Sequence, residues 1–285
     1  MPNSPERIQQ LPYLGLGLRL RKEYIPLVLQ EQVPVDWFEI ISEGYLGASE
    51  EQLQQLDQIC AKYPIVMHGI SLGIGSPWPL DEEYLQQLKA LVDRVNPLWI
   101  SDHLCWGGAD DTQGQLLPLP YSEEMLEHVV PRIQQVQAIF DRQILLENVP
   151  SEVIDPKTDM PEADFIREVA ISSNSLILLD IENLHTTSVS QGINASDYLS
   201  HLPADRVQQI HLAGATLLCE AEEEADEEAE KDPVWQLYLE ALKLFGPTTT
   251  MIERLDTIPS FAQMVTEVKK ARCALSKHFP DLPQP

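Results

Sequence analysis

The sequence predicts a (β/α)8 barrel of the TIM type, and three observations carry that prediction. Short apolar runs, many of them β-branched, recur eight times with helix-like segments between them, the alternation that parallel βα units produce. The chain has 285 residues, and eight such units occupy roughly 250. A doubly wound open sheet, the other architecture built from these units, would carry a G-x-G-x-x-G turn after its first strand, and GLGLRL does not fit that turn.

In chain order, the first run is Tyr13–Leu20, followed by Asp36–Ser42 and Ile65–Ser71. The glycines Gly15, Gly17, Gly69, Gly73 and Gly75 read as tight strand-to-loop bends with no chemistry of their own. A helix is predicted over Asp81–Val95, with acids in the first turn where the helix dipole favours them. The fourth run, Leu98–Leu104, precedes a helix over Ser122–Phe140. The fifth, Gln143–Val149, precedes one over Pro161–Ser172. Leu176–Asn183, Val207–Gly214 and Thr248–Arg254 complete the eight, and a last helix over Pro259–His278 is expected to pack outside the barrel. One barrel domain then spans residues 1–285, with an acidic loop at about 219–231 and a frayed, Pro-rich tail at about 279–285. Within that loop Glu220–Glu230 holds eight acids in eleven residues, a composition that suits a solvated segment.

Composition narrows the function. With 19 Lys+Arg against 45 Asp+Glu the formal charge is −26, and it stays at −18 without the acidic run. No basic stripe offers itself to a phosphate backbone, so nucleic acid is excluded as a partner. The opening MPNSPERIQQ lacks the basic-then-apolar pattern of a signal peptide, and no apolar stretch reaches the 18 residues of a membrane span. A cytoplasmic protein is expected. Cys60, Cys105, Cys219 and Cys273 are widely spaced, with no C-x-x-C pair, and read as reduced thiols.

The informative residues interrupt apolar runs near their C-terminal ends, because barrel active sites are built there from several strands. They are His68, Asp102 and His103, Glu147 and Asn148, Asp180, Glu182 and Asn183, His211 and Glu253. An isolated one would mean little, since a lone His is often structural and a lone Asp can cap a helix. Gathered at one mouth, two carboxylates 4 Å apart repel by about 4 kcal/mol at an effective dielectric of 20. Cations relieve that repulsion, and neutral imidazoles beside Glu147, Asp180 and Glu253 form a natural mixed ligand set for iron, manganese or zinc. Two divalent ions against three carboxylates leave one positive charge for an anionic substrate or ligand. Cys105 reads as structural, His185 as lining the mouth, and His128, His201 and His278 as surface residues.

These residues stand in motifs that resemble a known family, the multinuclear non-haem iron-dependent oxidative enzymes. GLGLR at Gly15–Arg19, DWFEI at Asp36–Ile40, SEGY at Ser42–Tyr45 and HGISLGIGS at His68–Ser76 come first. SDHLCW at Ser101–Trp106, LPLPYSEE at Leu117–Glu124, LLEN at Leu145–Asn148, IHLAG at Ile210–Gly214 and DPVW at Asp232–Trp235 continue in the family's order. The resemblance implies a barrel like that of xylose isomerase. It also implies two or three irons that use dioxygen to modify a ribosomally made peptide at Cys, Asp, Asn or a C-terminal residue, the peptide being delivered by a leader-binding partner protein. By motif position His68, His103 and Glu147 resemble the ligands of one iron, Asp180, His211 and Glu253 those of a second bridged by Glu147, and Asn183 a ligand of a third. Glu147, Asp102 and Glu182 are the candidate catalytic residues.

The sequence departs from the family pattern in places. The acidic run stands where members carry an Asp-x-His element that completes the third site, so two irons are expected. Glu182–Asn183 replaces an Asn-Asn pair, Ile41 a His, and Gly44 an Asn. Two other functions remain open to the residues alone: a metal-dependent isomerase or hydrolase, and a redox-inactive scaffold that kept the barrel.

Overall fold

The computed structural model describes residues 11–107, 116–213, 232–254 and 259–282. Eight parallel strands close into a barrel in sequence order: β1 Leu16–Arg19, β2 Trp37–Ile41, β3 Ile65–His68, β4 Ile100–His103, β5 Leu145–Glu147, β6 Leu176–Asp180, β7 Val207–Ala213 and β8 Thr249–Glu253. The ring closes where Gly17 of β1 lies opposite both Trp37 of β2 and Met251 of β8. Around it run α1 Ile25–Gln30, α2 Glu50–Cys60, α3 Glu82–Val95, α4 Glu123–Phe140, α5 Glu162–Ser173, α6 Ile181–Gln191, α7 Ala195–His201, α8 Pro233–Phe245 and α9 Phe261–His278. The predicted barrel is therefore the observed fold. The acidic run and the last three residues lie outside the described residues.

The expected helices start where their capping chemistry puts them. Asp81 accepts from the N–H groups of Glu83 and Tyr84, and Ser122 from that of Met125. The last helix begins two residues later than predicted, because Ser260 and Gln263 form a reciprocal capping box. The sixth run ends earlier than its apolar pattern suggests. Asp180 accepts from the N–H of Asn183, which makes it the N-cap of α6 and places Ile181, Glu182 and Asn183 in that helix rather than in the strand.

Alternation along the strands builds the interior. Side chains of a strand point to opposite faces in turn, and a cluster of Trp37, Val66, Trp99, Leu145, Leu176, Leu178 and Met251 fills the barrel interior below its C-terminal end. Moving two residues toward the C-terminal end leads from Trp37 to Glu39, Val66 to His68, Leu145 to Glu147, Leu178 to Asp180 and Met251 to Glu253. The apolar plug and the polar mouth are thus consecutive layers of one face. The outer faces of the strands pack against the helices in a separate, larger core. Gly17 is not a bend, contrary to the sequence reading: it lies inside β1, where an added Cβ would come within 2.2 Å of the Trp37 indole. Gly15 and Gly73, with φ of 77° and 60°, are bends as expected.

Candidate metal centre

The polar layer converges on Glu147 at the end of β5. Its Oε2 lies 3.3 Å from His68 Nε2 and 3.1 Å from His103 Nε2, and its Oε1 lies 3.2 Å from His211 Nδ1. Two groups of candidate ligands result, His68–His103–Glu147 and Glu147–Asp180–His211, each with donor atoms within 4.8 Å of one another. All five residues are buried. The carboxylate common to both groups is the one that the sequence singled out as a bridge.

Hydrogen bonds fix which ring nitrogen faces the centre. Ser101 Oγ donates to the Met67 carbonyl at 3.4 Å and therefore accepts from His68 Nδ1 at 2.8 Å, which leaves the Nε2 lone pair turned toward Glu147. His211 is set in the opposite sense. Its Nε2 lies 3.1 Å from Glu39 Oε2 and 2.9 Å from the Gln209 amide nitrogen, and its Nδ1 faces Glu147 Oε1 at 3.2 Å. Glu39 is itself held by the Gln209 side-chain amide at 2.6 Å, and that amide is oriented by the Trp99 indole N–H at 2.6 Å. A carboxylate behind a ligating imidazole fixes its tautomer and raises its basicity.

The electrostatics of the pocket call for cations. Burial raises Glu39, yet the His211 ring, with His68 and Arg19, brings it down to about 2. Burial would lower His211, but Glu39 and Glu147 raise it well above the usual imidazole range. Burial, with Glu147 beside it, pushes Asp180 well above an ordinary carboxylate, whereas burial pushes His68 well down. Glu39 Oε1 and His103 Nδ1 are buried and have no hydrogen-bond partner, and Glu147 Oε2 is buried with only the two imidazole nitrogens beside it. Lone pairs left this way in a set of imidazoles and carboxylates fit metal ions better than a hydrogen-bonded knot. Four carboxylates against the Arg19 guanidinium leave three negative charges, which two divalent ions turn into one positive.

The remaining candidates are placed as follows. Glu253 stands at the edge of the second group, with Oε2 4.0 Å from His211 Nδ1 and Oε1 2.7 Å from Arg19 Nη1. Asn183 is tied to the same corner, since its backbone N–H reaches Asp180 Oδ1 at 2.7 Å and its side-chain amide donates to the Asn148 carbonyl at 2.9 Å. Asp102 lies outside both groups. Its carboxylate accepts from the backbone N–H groups of Leu72 and His103, at 3.2 and 2.7 Å, and an added Cβ on Gly69 would lie 2.4 Å from it. Glu43 accepts from the Ile70 N–H at 2.8 Å, and Arg132 donates to the carbonyls of Gly73, Ile74 and Trp78, so three polar side chains pin the loop after β3. Glu182 is half-buried in the first turn of α6, outside both groups. Cys105 is buried, its thiol donating to the Gly107 carbonyl at 3.4 Å, and burial pushes it up to about 12, which fits its structural reading. His128, expected at the surface, is half-buried with its ring 2.9 Å from the Ser76 carbonyl.

Sequence reasoning missed Glu39, Arg19 and Gln209. Each is polar on the inward phase of its strand, and that phase could have been read by counting in twos from Trp37, Gly17 or His211. Glu39→Ala is expected to weaken metal affinity at the His211 position about 10–100-fold and to spare the His68–His103 position. Chelator competition on stepwise-loaded protein measures this, and equal losses at both positions would contradict the assignment.

Comparison with known proteins agrees with this geometry. Residues 15–276 match the family described as RiPP precursor modification enzyme MbnB/TglH/ChrH, where RiPP denotes a ribosomally made, post-translationally modified peptide. A UPF0276 protein of Anaeromyxobacter sp. (strain Fw109-5) is 42% identical over 261 residues, covering 90% of this chain and 92% of that protein. One of Acaryochloris marina is 38% identical, covering 93% and 96%. Among solved structures, a xylose isomerase domain containing protein from Salmonella typhimurium has a TM-score of 0.61 at 15% identity, covering 95% of this chain and 99% of that one. A D-psicose 3-epimerase has 0.57 at 11%, covering 92% and 97%. At such identities these structures establish the xylose-isomerase-like barrel alone. The ordered motifs, the paired ligand groups and the near full-length match lead to one conclusion: this chain belongs to the MbnB/TglH/ChrH family of RiPP precursor modification enzymes.

Proposed function

We propose that the enzyme is a non-haem iron oxidoreductase that uses dioxygen to modify a ribosomally synthesised peptide at a Cys, Asp, Asn or C-terminal residue. His68, His103 and Glu147 would hold one iron, and Asp180, His211 and Glu253, with Glu147 in common, a second; Asn183 would serve a third. The observation that carries the reading is the sharing of Glu147 between two groups of buried donors. Bound iron would supply the redox equivalents and the site at which dioxygen is reduced.

The chain's own residues do the rest. Ser101 and Glu39 hold the rings of His68 and His211 with the ligating nitrogens inward. Arg19, against Glu253 Oε1, keeps a cation at the rim, where an anionic group of the peptide would find a partner. The layer of Trp37, Trp99, Val66, Leu145, Leu178 and Met251 closes the barrel beneath and excludes water from that side. Asp102 holds the loop after β3 rather than touching the centre. Delivery by a separate leader-binding protein, a single barrel domain over the whole chain and a cytoplasmic setting belong to the same proposal. Among the described residues no helix is long and apolar enough to cross a membrane.

Anaerobic reconstitution with ferrous iron, then an iron count, a Mössbauer spectrum and dioxygen uptake with the small peptides encoded beside the gene, is the test. Coupled iron ions, iron-dependent uptake and a mass change on one peptide are expected. Turnover under argon with magnesium or manganese would favour the isomerase reading, and less than one iron per chain would favour a scaffold.

A further inference from the structure

Asn148 follows Glu147 at the end of the fifth run, is buried, and stands in neither ligand group. Its side-chain amide pairs with both backbone groups of one residue on the neighbouring strand. Oδ1 accepts from the Asp180 N–H at 2.8 Å, and Nδ2 donates to the Asp180 carbonyl at 3.0 Å. Turned over, the amide would set carbonyl against carbonyl and donor against donor, so its orientation is fixed. The backbone carbonyl of Asn148 accepts from the Asn183 side-chain amide at 2.9 Å, and the Asn183 N–H returns to Asp180 Oδ1 at 2.7 Å. Asn148, Asp180 and Asn183 thus form one closed set of bonds beside Glu147.

The strand ends explain why such a set is needed. β5 has three residues, and its ladder with β6 stops at Glu147 opposite Leu178. β6 runs on to Asp180, which is paired on its other side with His211 of β7. On the β5 side the buried Asp180 backbone therefore lies past the end of the ladder, where its N–H and C=O still require partners. A primary amide carries the donor and acceptor of a peptide group, and Asn148 supplies them there. The side chain continues the sheet where the strand has ended. Glu147 has no such need, since it is paired with His103 of β4 and Leu178 of β6, and its carbonyl accepts from the Leu104 N–H at 2.9 Å.

We propose that Asn148 is a positioning residue for the second metal position: its amide replaces the missing strand and holds Asp180 in place against Glu147 and His211. Donor atoms of those three residues lie within 4.8 Å of one another. Two carboxyl groups brought that close before an ion arrives oppose each other, and a scaffold that holds them together makes the pair a tighter ligand set. The same clamp turns the Asn183 amide nitrogen toward Asn148, which leaves Oδ1 as the Asn183 side-chain atom for an ion. This role rests on the metal reading of the site and is independent of which metal binds, of dioxygen and of the peptide.

Stepwise titration of cobalt(II) into the full metal-free chain tests it. Paramagnetically shifted ring resonances of His68 and His103 report on one position, and those of His211 on the other. Asn148→Ala is expected to weaken the His211 position about 10–100-fold, the range for partners that orient a ligand, and to spare the His68–His103 position. In the loaded variant the His211 shifts should also move while those of His68 and His103 stay, a signature that lowered stability alone does not produce. A second measurement needs no variant and serves where Asn148→Ala fails to fold. In the unsubstituted metal-free protein the Asp180 N–H should exchange with deuterium as slowly as that of Leu176, which bonds the Ile144 carbonyl at 2.9 Å in the same strand pair. Equal weakening at both positions, unchanged affinity at both, or fast exchange at Asp180 overturns the role and leaves the metal reading standing. An unsubstituted chain that binds no cobalt at either position would sink the metal reading and this role with it.

Discussion

Replacing Glu147 with alanine is expected to empty both positions of the metal centre, whereas Asp180→Asn should empty one. Glu147 offers its two oxygens in different directions, Oε2 to the His68 and His103 rings and Oε1 to His211. Its loss takes a ligand from each group, and losses above about 100-fold in affinity at each position are expected, since even partners behind the ligands are worth 10–100-fold. The metal-free protein should still fold. Glu147 is surrounded by Asp180 and Glu253 as well as by imidazoles; burial chiefly raises those two carboxyls and Glu147 adds repulsion to both, which its removal relieves. Iron counted after anaerobic reconstitution, with thermal denaturation as the check on folding, makes the comparison. Equal iron in Glu147→Ala and the parent would remove the shared-ligand reading.

The second large effect concerns stability against pH. Glu162 is raised from an ordinary 4.5 to about 7, chiefly by burial, with hydrogen bonds from Tyr198 and Tyr121 opposing the rise. Between those values the folded chain keeps a proton that the unfolded chain has released. Stability contributed by this group is therefore complete below about 4.5, falls as pH rises toward 7, and is flat beyond; the interval corresponds to about 3 kcal/mol. Glu162→Gln cannot titrate and should lose this slope. The charged or titratable neighbours Asp155, Asp197 and His201 are common to both proteins and cancel in the difference. Urea denaturation at pH 5 and pH 8 is expected to shift the gap between variant and parent by about 2.5 kcal/mol in favour of the variant at the higher pH. Parallel stability curves for the two proteins would show that the carboxyl is not held in a dry site.

Both effects begin in local signals of differing clarity. The eight strands fall inside the eight apolar runs because a buried parallel strand must be apolar on both faces, and few other elements need that. Helix starts were legible at Asp81 and Ser122, whose side chains hold free N–H groups within three residues. Asn183 shows where this fails: an apolar run continued through Asp180, but the Asp180 side chain turned the chain into a helix there. His68, His103, Glu147, Asp180 and His211 stood out because each breaks its run near the end, next to a loop. Glu39 and Gln209 did not: Glu39 sits between Phe38 and Ile40, Gln209 follows a second glutamine, Gln208, and a polar residue in mid-strand carries no site signal until the inward phase is known.

By itself the sequence determined the barrel, the inward-facing histidines and acids, and the need for positive charge among them, because periodicity, strand-end position and Coulomb repulsion are properties of the chain's order. Only the tertiary structure decided that Glu147 faces two groups at once, that Glu39 stands behind His211, and that Tyr198 reaches the buried Glu162 carboxyl. Those facts join β5 to β3, β4 and β7, β2 to β7, and α5 to α7. Distances between residues so far apart in the chain follow from how the cylinder closes and how its helices pack, which no local pattern encodes.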